Sequence, residues 1–302
     1  MDIRQLEYLV ALAQEKHFTR AAERCNVTQP TLSGRIRQLE QELGVPIVER
    51  GQRYHDLTPE GRRVLQWAQT ILEDRSSLMQ ELTELKGGLS GRLVLGVIPS
   101  ALPMATSVTR VMREAHPSVS FTVRSETSNE ILRDVQEFHI DAGITYLDNE
   151  PLERVETVPL YTERYHLFLP EHHPWATKSH VTWAEAAQLP LCLLTPNMQN
   201  RRIINKIFQA ADCNPEAEIE TDSVVHLWAQ VRFCGWASVM PEYFSDLFGS
   251  ESGIRGIPLR EPEVEYAVGL VALAREPLSP IIRALFDACR DNPLLPLVNP
   301  DE

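Results

Sequence analysis

Apolar positions near the start of the chain repeat with the period of an α-helix. They form one stripe, made of Leu32, Ile36, Leu39 and Leu43. Thr28 can cap this helix, Pro30 fits its first turn, and Gly44 can end it. A shorter helix with Thr19 as its N-cap precedes it. The pattern therefore predicts two short helices joined by a tight turn.

The side of the longer helix opposite the apolar stripe is small and polar. It carries Pro30, Gly34, Arg37 and Gln41. A helix with one packed face and a small, basic outer face fits the major groove of DNA. The helical pattern alone would favour the alternative, an ordinary amphipathic hairpin of helices.

The order of residues in this block resembles the N-terminal domain of the LysR-type transcriptional regulators. The matching stretches include Phe18-Thr-Arg-Ala-Ala22, Val27-Thr-Gln-Pro-Thr-Leu-Ser33, Glu42-Leu-Gly-Val-Pro46 and Leu57-Thr-Pro-Glu-Gly61. The resemblance implies a winged helix-turn-helix that binds double-stranded DNA. The contacts expected from the recognition helix are Thr28, Gln29, Thr31, Ser33, Arg35 and Arg37. Gly34 departs from the family, which usually has a basic or bulky polar residue there.

The segment from Ile47 to Leu57 reads as a small hairpin that turns near Gly51. The resemblance makes it the wing of the DNA-binding domain. Arg50 and Arg53 are then expected to contact the DNA backbone or the minor groove. The alternative is a solvated surface turn.

A long helix is predicted from Pro59 to about Lys86, capped by Thr58 and ended by Gly87 and Gly88. Its apolar positions alternate by three and four and include Leu65, Ile71, Leu78, Leu82 and Leu85. Such a stripe on an otherwise polar helix indicates a partner helix. In the family this helix pairs two subunits. The alternative is packing against its own domain.

The rest of the chain alternates strands and helices, beginning with the apolar strand Leu93–Ile98. This rhythm predicts open parallel sheets with helices on both faces. The resemblance adds a two-lobed, periplasmic-binding-protein-like α/β domain, with crossings between lobes near residues 162 and 266. The predicted domains are 1–58 (winged helix-turn-helix), 59–89 (linker and dimerisation helix) and 90–302 (effector-binding, with lobe I 90–162 plus 267–302 and lobe II 163–266).

Open α/β sheets bind ligands beyond the carboxyl ends of their strands. The residues expected at such a site are Ser100, Ala101, Thr127, Thr145, Thr195, Asn197 and Arg201. Helix N-termini and hydroxyls suit an anion, and Arg201 or Arg202 could neutralise a carboxylate. The alternative is that the hydroxyls only cap helices.

Composition limits the possible functions of this 302-residue chain. Its net charge is −13, but residues 1–66 carry +1 and residues 90–302 carry −12, so acidity lies away from the predicted DNA-binding part. No run is long and apolar enough for a membrane span, and the charged start is unlike a signal peptide, which predicts a cytoplasmic protein. No motif points to an enzyme, a cofactor or a metal site.

These observations predict a LysR-type regulator whose promoter binding responds to a small, anionic metabolite bound between the lobes. Expected partners are double-stranded DNA, the effector, RNA polymerase, and further copies of the chain in a homodimer that assembles to a homotetramer. Two alternatives stay open. One is a thiol-based redox sensor using Cys192, Cys213 or Cys234, and the other is a cytosolic solute-binding protein without sequence-specific DNA binding.

Overall fold

A computed structural model of the chain describes residues 1–49, 56–249 and 252–292. The chain divides into two compact units, Met1–Gly87 and Gly88–Glu302. Each unit has its own apolar core. In the described part of the chain, no helix combines the length and the apolar character that a membrane span requires.

The N-terminal unit consists of helices whose starts are fixed by side-chain caps. They are α1 (Ile3–Glu15), α2 (Phe18–Arg24), α3 (Gln29–Leu43) and α4 (Pro59–Gly87). Asp2 and Gln5 form a capping box on α1, and Thr28 caps α3 as predicted. The predicted Thr19 cap is wrong, because the His17 ring accepts the Thr19 amide hydrogen at 3.2 Å and α2 begins at Phe18.

The predicted apolar stripe of α3 forms the centre of this unit's core. Its buried members pack with apolar residues of α1 and α2, namely Leu6, Leu9, Leu12, Ala21, Ala22, Leu32, Ile36 and Leu39. Each buried leucine or isoleucine stabilises the unit by about 1.5–3 kcal/mol relative to an exposed one. This packing fixes which side of α3 remains outside.

The segment after α3 forms the base of the predicted hairpin. Val48 and Leu57 pair in an antiparallel bridge, and the Glu40 carboxylate accepts the Val48 amide hydrogen at 3.1 Å. The hairpin turn lies outside the described residues, together with Arg50 and Arg53.

The start of α4 is held tightly against this hairpin. The Thr58 hydroxyl accepts the Gly61 amide hydrogen at 2.8 Å and donates to the Pro46 carbonyl at 2.6 Å. A Cβ on Gly61 would lie 2.0 Å from the Ile47 carbonyl oxygen. Only glycine permits the helix to approach the backbone this closely.

The first lobe of the C-terminal unit is a mixed sheet covered by helices. Its elements are β1 (Gly91–Val97), α5 (Leu102–Ala115), β2 (Val119–Ser125), α6 (Ser128–Gln136), β3 (Ala142–Tyr146), β4 (Val155–Glu163), β11 (Tyr266–Leu273) and α11 (Pro280–Asp291). The strand order is β2-β1-β3-β11-β4. Strand β1 is parallel to its neighbours, whereas β11 is antiparallel to both β3 and β4. The prediction of a purely parallel sheet is therefore wrong.

The second lobe is inserted between β4 and β11. Its elements are β5 (Tyr165–Pro170), β6 (Val181–Thr182), α7 (Trp183–Ala186), β7 (Leu191–Leu194), α8 (Gln199–Ala210), β8 (Ala217–Thr221), α9 (Val224–Ala229), β9 (Ser238–Pro241), α10 (Phe244–Phe248) and β10 (Ile254–Arg260). One sheet has the order β6-β10-β5-β9, and β7 pairs with β8 in parallel. A bridge between Leu191 and Ala237 joins this pair to the end of the sheet.

Local features set the ends of several helices in this unit. Thr127 is the N-cap of α6, and it forms a capping box with Glu130. Helix α8 begins at Gln199, directly after Met198. Helix α9 is followed by a π-helical turn, residues 230–234.

Candidate nucleic-acid interface and ligand cleft

The outer face of α3 is exposed, as the sequence predicted. Pro30, Gly34, Arg37 and Gln41 are all exposed. Within the described residues, Arg37 has no hydrogen-bond or ion-pair partner, so its charge is free for a nucleic-acid phosphate or base.

A groove of about 1140 Å³ runs along this face of α3. Gln29, Ser33 and Arg37 line it, together with Val45, Pro46, Val48 and Glu49 from the segment after α3. Three residues of the predicted DNA-binding set therefore share one surface. Thr28 and Thr31 lie at the N-terminus of α3, where their hydroxyls are 2.8 Å apart.

Other arginines of the N-terminal unit are paired with carboxylates. Glu15 lies 3.1 Å from Arg24 and 3.8 Å from Arg20, and Asp2 lies 3.3 Å from Arg35. These pairs are solvent-exposed, so each contributes at most about 1 kcal/mol. Arg35 is therefore predicted to exchange its carboxylate partner for a phosphate when it contacts DNA.

The apolar stripe of α4 divides into two parts. Leu65 and Ile71 are half-buried against the core of their own unit. Leu78, Leu82 and Leu85 remain exposed, at 55%, 44% and 84%. Packing within the N-terminal unit thus accounts for the first part, and no described residue covers the second part.

Two helix N-termini lie near the contact between the two lobes of the C-terminal unit. Helix α5 begins after Ala101 and α8 begins after Met198, and neither helix has a side-chain cap. The Ser100 hydroxyl lies in a 3-10 turn, Pro99–Ala101, that leads into α5, and the Thr195 hydroxyl lies on the loop before α8. Both hydroxyl oxygens are buried, and neither has a hydrogen-bond partner in the described structure. Ser100 itself is 1% exposed.

Direct bonds join the two lobes beside these hydroxyls. The Tyr243 hydroxyl of lobe II donates to the Ser100 carbonyl of lobe I. The Thr145 hydroxyl donates to the Gln199 side-chain carbonyl at 3.2 Å. Thr127 hydrogen-bonds only Glu130 through its side chain. The structure thus brings Ser100, Ala101 and Thr145 of lobe I to the same face as the start of α8.

The two consecutive arginines of α8 have different surroundings. The buried Arg201 guanidinium donates to the Leu194 carbonyl at 2.7 Å and to Glu220 at 2.9 Å, both within lobe II. Arg202 instead reaches lobe I, where it binds both carboxylate oxygens of Glu150. It also donates to the Asn197 carbonyl at 2.6 Å. Arg202 is therefore the arginine of α8 that bridges the two lobes.

A buried carboxyl group below the cleft was not singled out from the sequence. Glu163 ends β4 and is completely buried. It accepts hydrogen bonds from Tyr146 and, at 3.5 Å, from Tyr161. Burial raises the pKa of Glu163 to about 7, although the tyrosine hydrogen bonds oppose this shift. An isolated glutamate between two strands gives no sequence signal for such burial.

The cysteines are free thiols. Burial raises the pKa of Cys192 and of Cys289 to about 11, with the nearby Cys234 adding to the effect at Cys192. Cys213 donates to the Ala211 carbonyl at 3.2 Å, and Cys234 is exposed. A raised thiol pKa disfavours the thiolate, which is the reactive form.

Ligand atoms of Asp134, Glu137 and His139 lie within 4.8 Å of one another at the C-terminal end of α6. These residue types could hold a divalent cation. The Arg133 Nε atom, however, already donates to Asp134 at 2.8 Å. The arrangement is accounted for by surface ion pairing.

A helix-turn-helix unit joined to a two-lobed α/β unit defines a DNA-binding transcription regulator. Family models agree: residues 3–62 match the bacterial regulatory helix-turn-helix protein of the lysR family, and residues 86–293 match the LysR substrate binding domain. The chain belongs to the LysR family of transcriptional regulators. The match to both family models confirms the predicted fold class. Members of this family are transcription factors and not enzymes, as predicted for this chain.

Known relatives cover nearly the whole chain. The hydrogen peroxide-inducible genes activator of Haemophilus influenzae is 31% identical, covering 92% of each chain. The DNA-binding transcriptional dual regulator OxyR of Escherichia coli is 30% identical, covering 96% of this chain and 95% of that one. A solved full-length OxyR variant from Pseudomonas aeruginosa is 28% identical, with a TM-score of 0.75, covering 96% and 98%.

Proposed function

We propose that this LysR-type regulator binds promoter DNA under the control of a small anionic metabolite held between its two lobes. One observation carries the proposal. Among the described residues, the Ser100 and Thr195 hydroxyls are buried without hydrogen-bond partners, just before α5 and α8 begin. A buried hydroxyl without a partner costs about 1–3 kcal/mol, so a ligand that binds both would recover that free energy.

The chemistry of the cleft supports an anion. The first amides of α5 and α8 have no side-chain acceptor, and the positive ends of helix dipoles attract negative charge. Arg202 supplies the nearby cation, and its present partner, Glu150, is itself a carboxylate. An organic acid could replace Glu150 at this guanidinium. Arg201 is already committed to Glu220 within lobe II.

The proposed control is a shift between lobe arrangements. The bonds Thr145–Gln199, Tyr243–Ser100 and Arg202–Glu150 hold the lobes in the arrangement seen here. A ligand shifts the balance only by its difference in affinity between arrangements. A ligand at Ser100 and Arg202 would contact both lobes. Its affinity would therefore differ between the two lobe arrangements.

DNA recognition would use the groove beside α3 in two copies of the chain. Leu78, Leu82 and Leu85 would pair the α4 helices of a dimer, giving two recognition helices for two half-sites. Two dimers would form a tetramer whose effector-dependent geometry alters DNA bending and contact with RNA polymerase.

Sequence-specific DNA binding can be tested by sequencing the genomic DNA fragments that the full-length protein retains at about 150 mM salt. Attraction to phosphates alone is weak at that salt concentration. We expect a few pseudo-palindromic sites.

The genes beside those sites would indicate candidate acids. Each acid can be titrated into the wild-type protein and into Ser100→Ala and Thr195→Val to measure its dissociation constant, with the exposed Ser120→Ala as control. Unchanged dissociation constants in both cleft variants would contradict the proposed site.

A thiol-based regulator is the second candidate, because relatives are named as hydrogen peroxide-inducible genes activators. Cys234 is the exposed thiol, and its charge influences buried Cys192. This candidate predicts that peroxide changes promoter binding, and that Cys234→Ser abolishes the change. A response that survives in Cys234→Ser and Cys192→Ser would exclude this pair.

A further inference from the structure

The carboxyl group of Glu163 lies where the chain passes from one lobe to the other. Glu163 is the last residue of β4 in lobe I, and β5 of lobe II begins at Tyr165. The returning strand β11 runs beside this crossing, with Tyr266 paired to Glu163. A change at Glu163 therefore acts directly on the strands that connect the lobes.

No charged side chain compensates this carboxyl group among the described groups that face it. Its partners are tyrosine hydroxyls and the neutral Asn200 amide, and the adjacent Arg164 forms an exposed ion pair with Glu265 instead. The titratable groups around it are Tyr146 of β3, Tyr161 of β4, Tyr165 of β5, Tyr266 of β11 and Tyr243 after β9. A buried carboxylate without a cation is costly, so the neutral acid is favoured while the site stays dry.

A hydrogen-bond chain connects this carboxyl group to the cleft. The Tyr146 hydroxyl donates to Glu163 and accepts from the Asn200 amide at 2.9 Å. Asn200 lies in the first turn of α8, next to Gln199, which accepts from Thr145. Separating the lobes would break the Asn200–Tyr146 bond, open the site to water and lower the cost of ionising Glu163.

We propose that Glu163 and its tyrosines form a proton-sensitive joint between the lobes. Protonation of the carboxyl group favours the arrangement seen here, in which direct hydrogen bonds join the lobes and which we call closed. The ligand of this joint is a proton, bound more tightly when the lobes are closed than when they are apart. The proposal deepens the proposed function, because it rests on the same two lobe arrangements and adds a second input to their balance.

The equilibrium between the closed and separated lobe arrangements would respond to pH near neutrality. Burial raises the pKa of Glu163 to about 7 in the closed arrangement, whereas a hydrated glutamate has its ordinary value of 4.5. The closed arrangement is therefore favoured at low pH and loses that advantage as the pH rises through about 7. By linkage, an effector that closes the lobes would bind more tightly in mildly acidic solution.

A fluorophore pair on the full-length protein can report the separation of the lobes without DNA or effector. Labels would be placed on cysteines introduced at the exposed positions Asn129 and Asn214, with accessible native cysteines replaced by serine. We expect energy transfer to increase as the pH falls from about 8 to about 6, with a midpoint near 7. The Glu163→Gln variant, neutral at all pH values, should lose this response, and the exposed Glu218→Gln variant should keep it.

A second variant protects the test if Glu163→Gln does not fold. Tyr161→Phe removes a hydrogen bond that lowers the pKa of Glu163, so the midpoint should move to higher pH. A pH response that persists in Glu163→Gln, or a midpoint unmoved in Tyr161→Phe, would overturn the proposal. So would a lobe separation independent of pH in wild type. None of these results bears on DNA recognition or effector binding, so each proposal can fail alone.

Discussion

The guanidinium of Arg202 in lobe II binds both carboxylate oxygens of Glu150 in lobe I, with Nε at 2.7 Å from one and Nη2 at 2.8 Å from the other. Arg201, its neighbour in sequence, points into lobe II instead. The two residues are about 100° apart around α8, which explains why adjacent arginines reach different lobes.

Replacing each arginine should separate a structural role from a cleft role. Arg201→Gln should lower the free energy of unfolding by about 2–3 kcal/mol, because it removes a buried donor from the Leu194 carbonyl and Glu220. Arg202→Gln should cost about 1 kcal/mol or less, since its pair with Glu150 is partly exposed. Urea unfolding measures both values. Equal losses would contradict the division of roles.

Glycine at position 34 should be replaceable, whereas glycine at position 61 should not. Nothing lies within 4 Å of a Cβ built on Gly34, so Gly34→Ala should stabilise α3 by about 0.5–1 kcal/mol. Gly61→Ala, the matched control, would place its Cβ 2.0 Å from the Ile47 carbonyl oxygen and should destabilise the unit. Thermal unfolding of both variants tests the contrast.

Gly34→Arg should also change DNA binding, because the added cation would extend from the exposed face of α3. We expect tighter binding at low salt and a steeper salt dependence, by about one unit of the logarithmic slope. A titration of a recovered site at several salt concentrations measures this. An unchanged slope would mean that position 34 does not approach the DNA.

The exposed part of α4 should determine oligomeric state. Leu82→Glu places a charge on the exposed apolar face formed by Leu78, Leu82 and Leu85, and should dissociate the dimer into monomers without unfolding the N-terminal unit. Thr83→Glu adds the same charge at the next position, where the side chain already faces solvent. Sedimentation velocity compares the two. Dissociation by both variants, or by neither, would contradict this dimer face.

Histidine 166 should make lobe II sensitive to acid. Burial lowers the pKa of His166 to about 4, although the Asp246 charge opposes the shift. Because the pKa of His166 in the folded protein lies below its unfolded value of 6.5, the unfolded state takes up a proton first as the pH falls. The free energy of unfolding is therefore highest above pH 6.5 and decreases as the pH falls toward 4. Across this pH range, the free energy of unfolding should fall by about 3 kcal/mol. Urea unfolding across this range should show a smaller acid loss in His166→Gln than in wild type.

The sequence was sufficient for features that depend on neighbouring residues. The Thr28 cap and the burial of Leu32, Ile36 and Leu39 follow from local spacing, and both are present, whereas Leu43 at the end of the predicted stripe is exposed. Strand β4 was not recognised, because Pro159 interrupts it. The structure accommodates Pro159 opposite Gly269 at a shift in register, where the missing amide is tolerated.

The cleft required the tertiary structure. Sequence spacing placed Ser100 and Thr195 before helices, but their lack of partners appears only when both lobes are folded. The importance of Glu163 likewise comes from the tyrosines that surround it, which are distributed over several strands. A turn position such as Arg53 remains a prediction, because it lies outside the described residues.

The ion pairs of the N-terminal unit have a consequence for how the protein searches DNA. A free arginine that meets a phosphate releases a condensed cation from the DNA, which makes affinity fall steeply with salt. Arg20 and Arg24 must also give up Glu15, and Arg35 must give up Asp2, so part of each gain is lost in breaking a bond within the protein. Binding to random sequence should therefore be weaker than the number of arginines suggests, and base contacts should contribute a larger share of the affinity at specific sites.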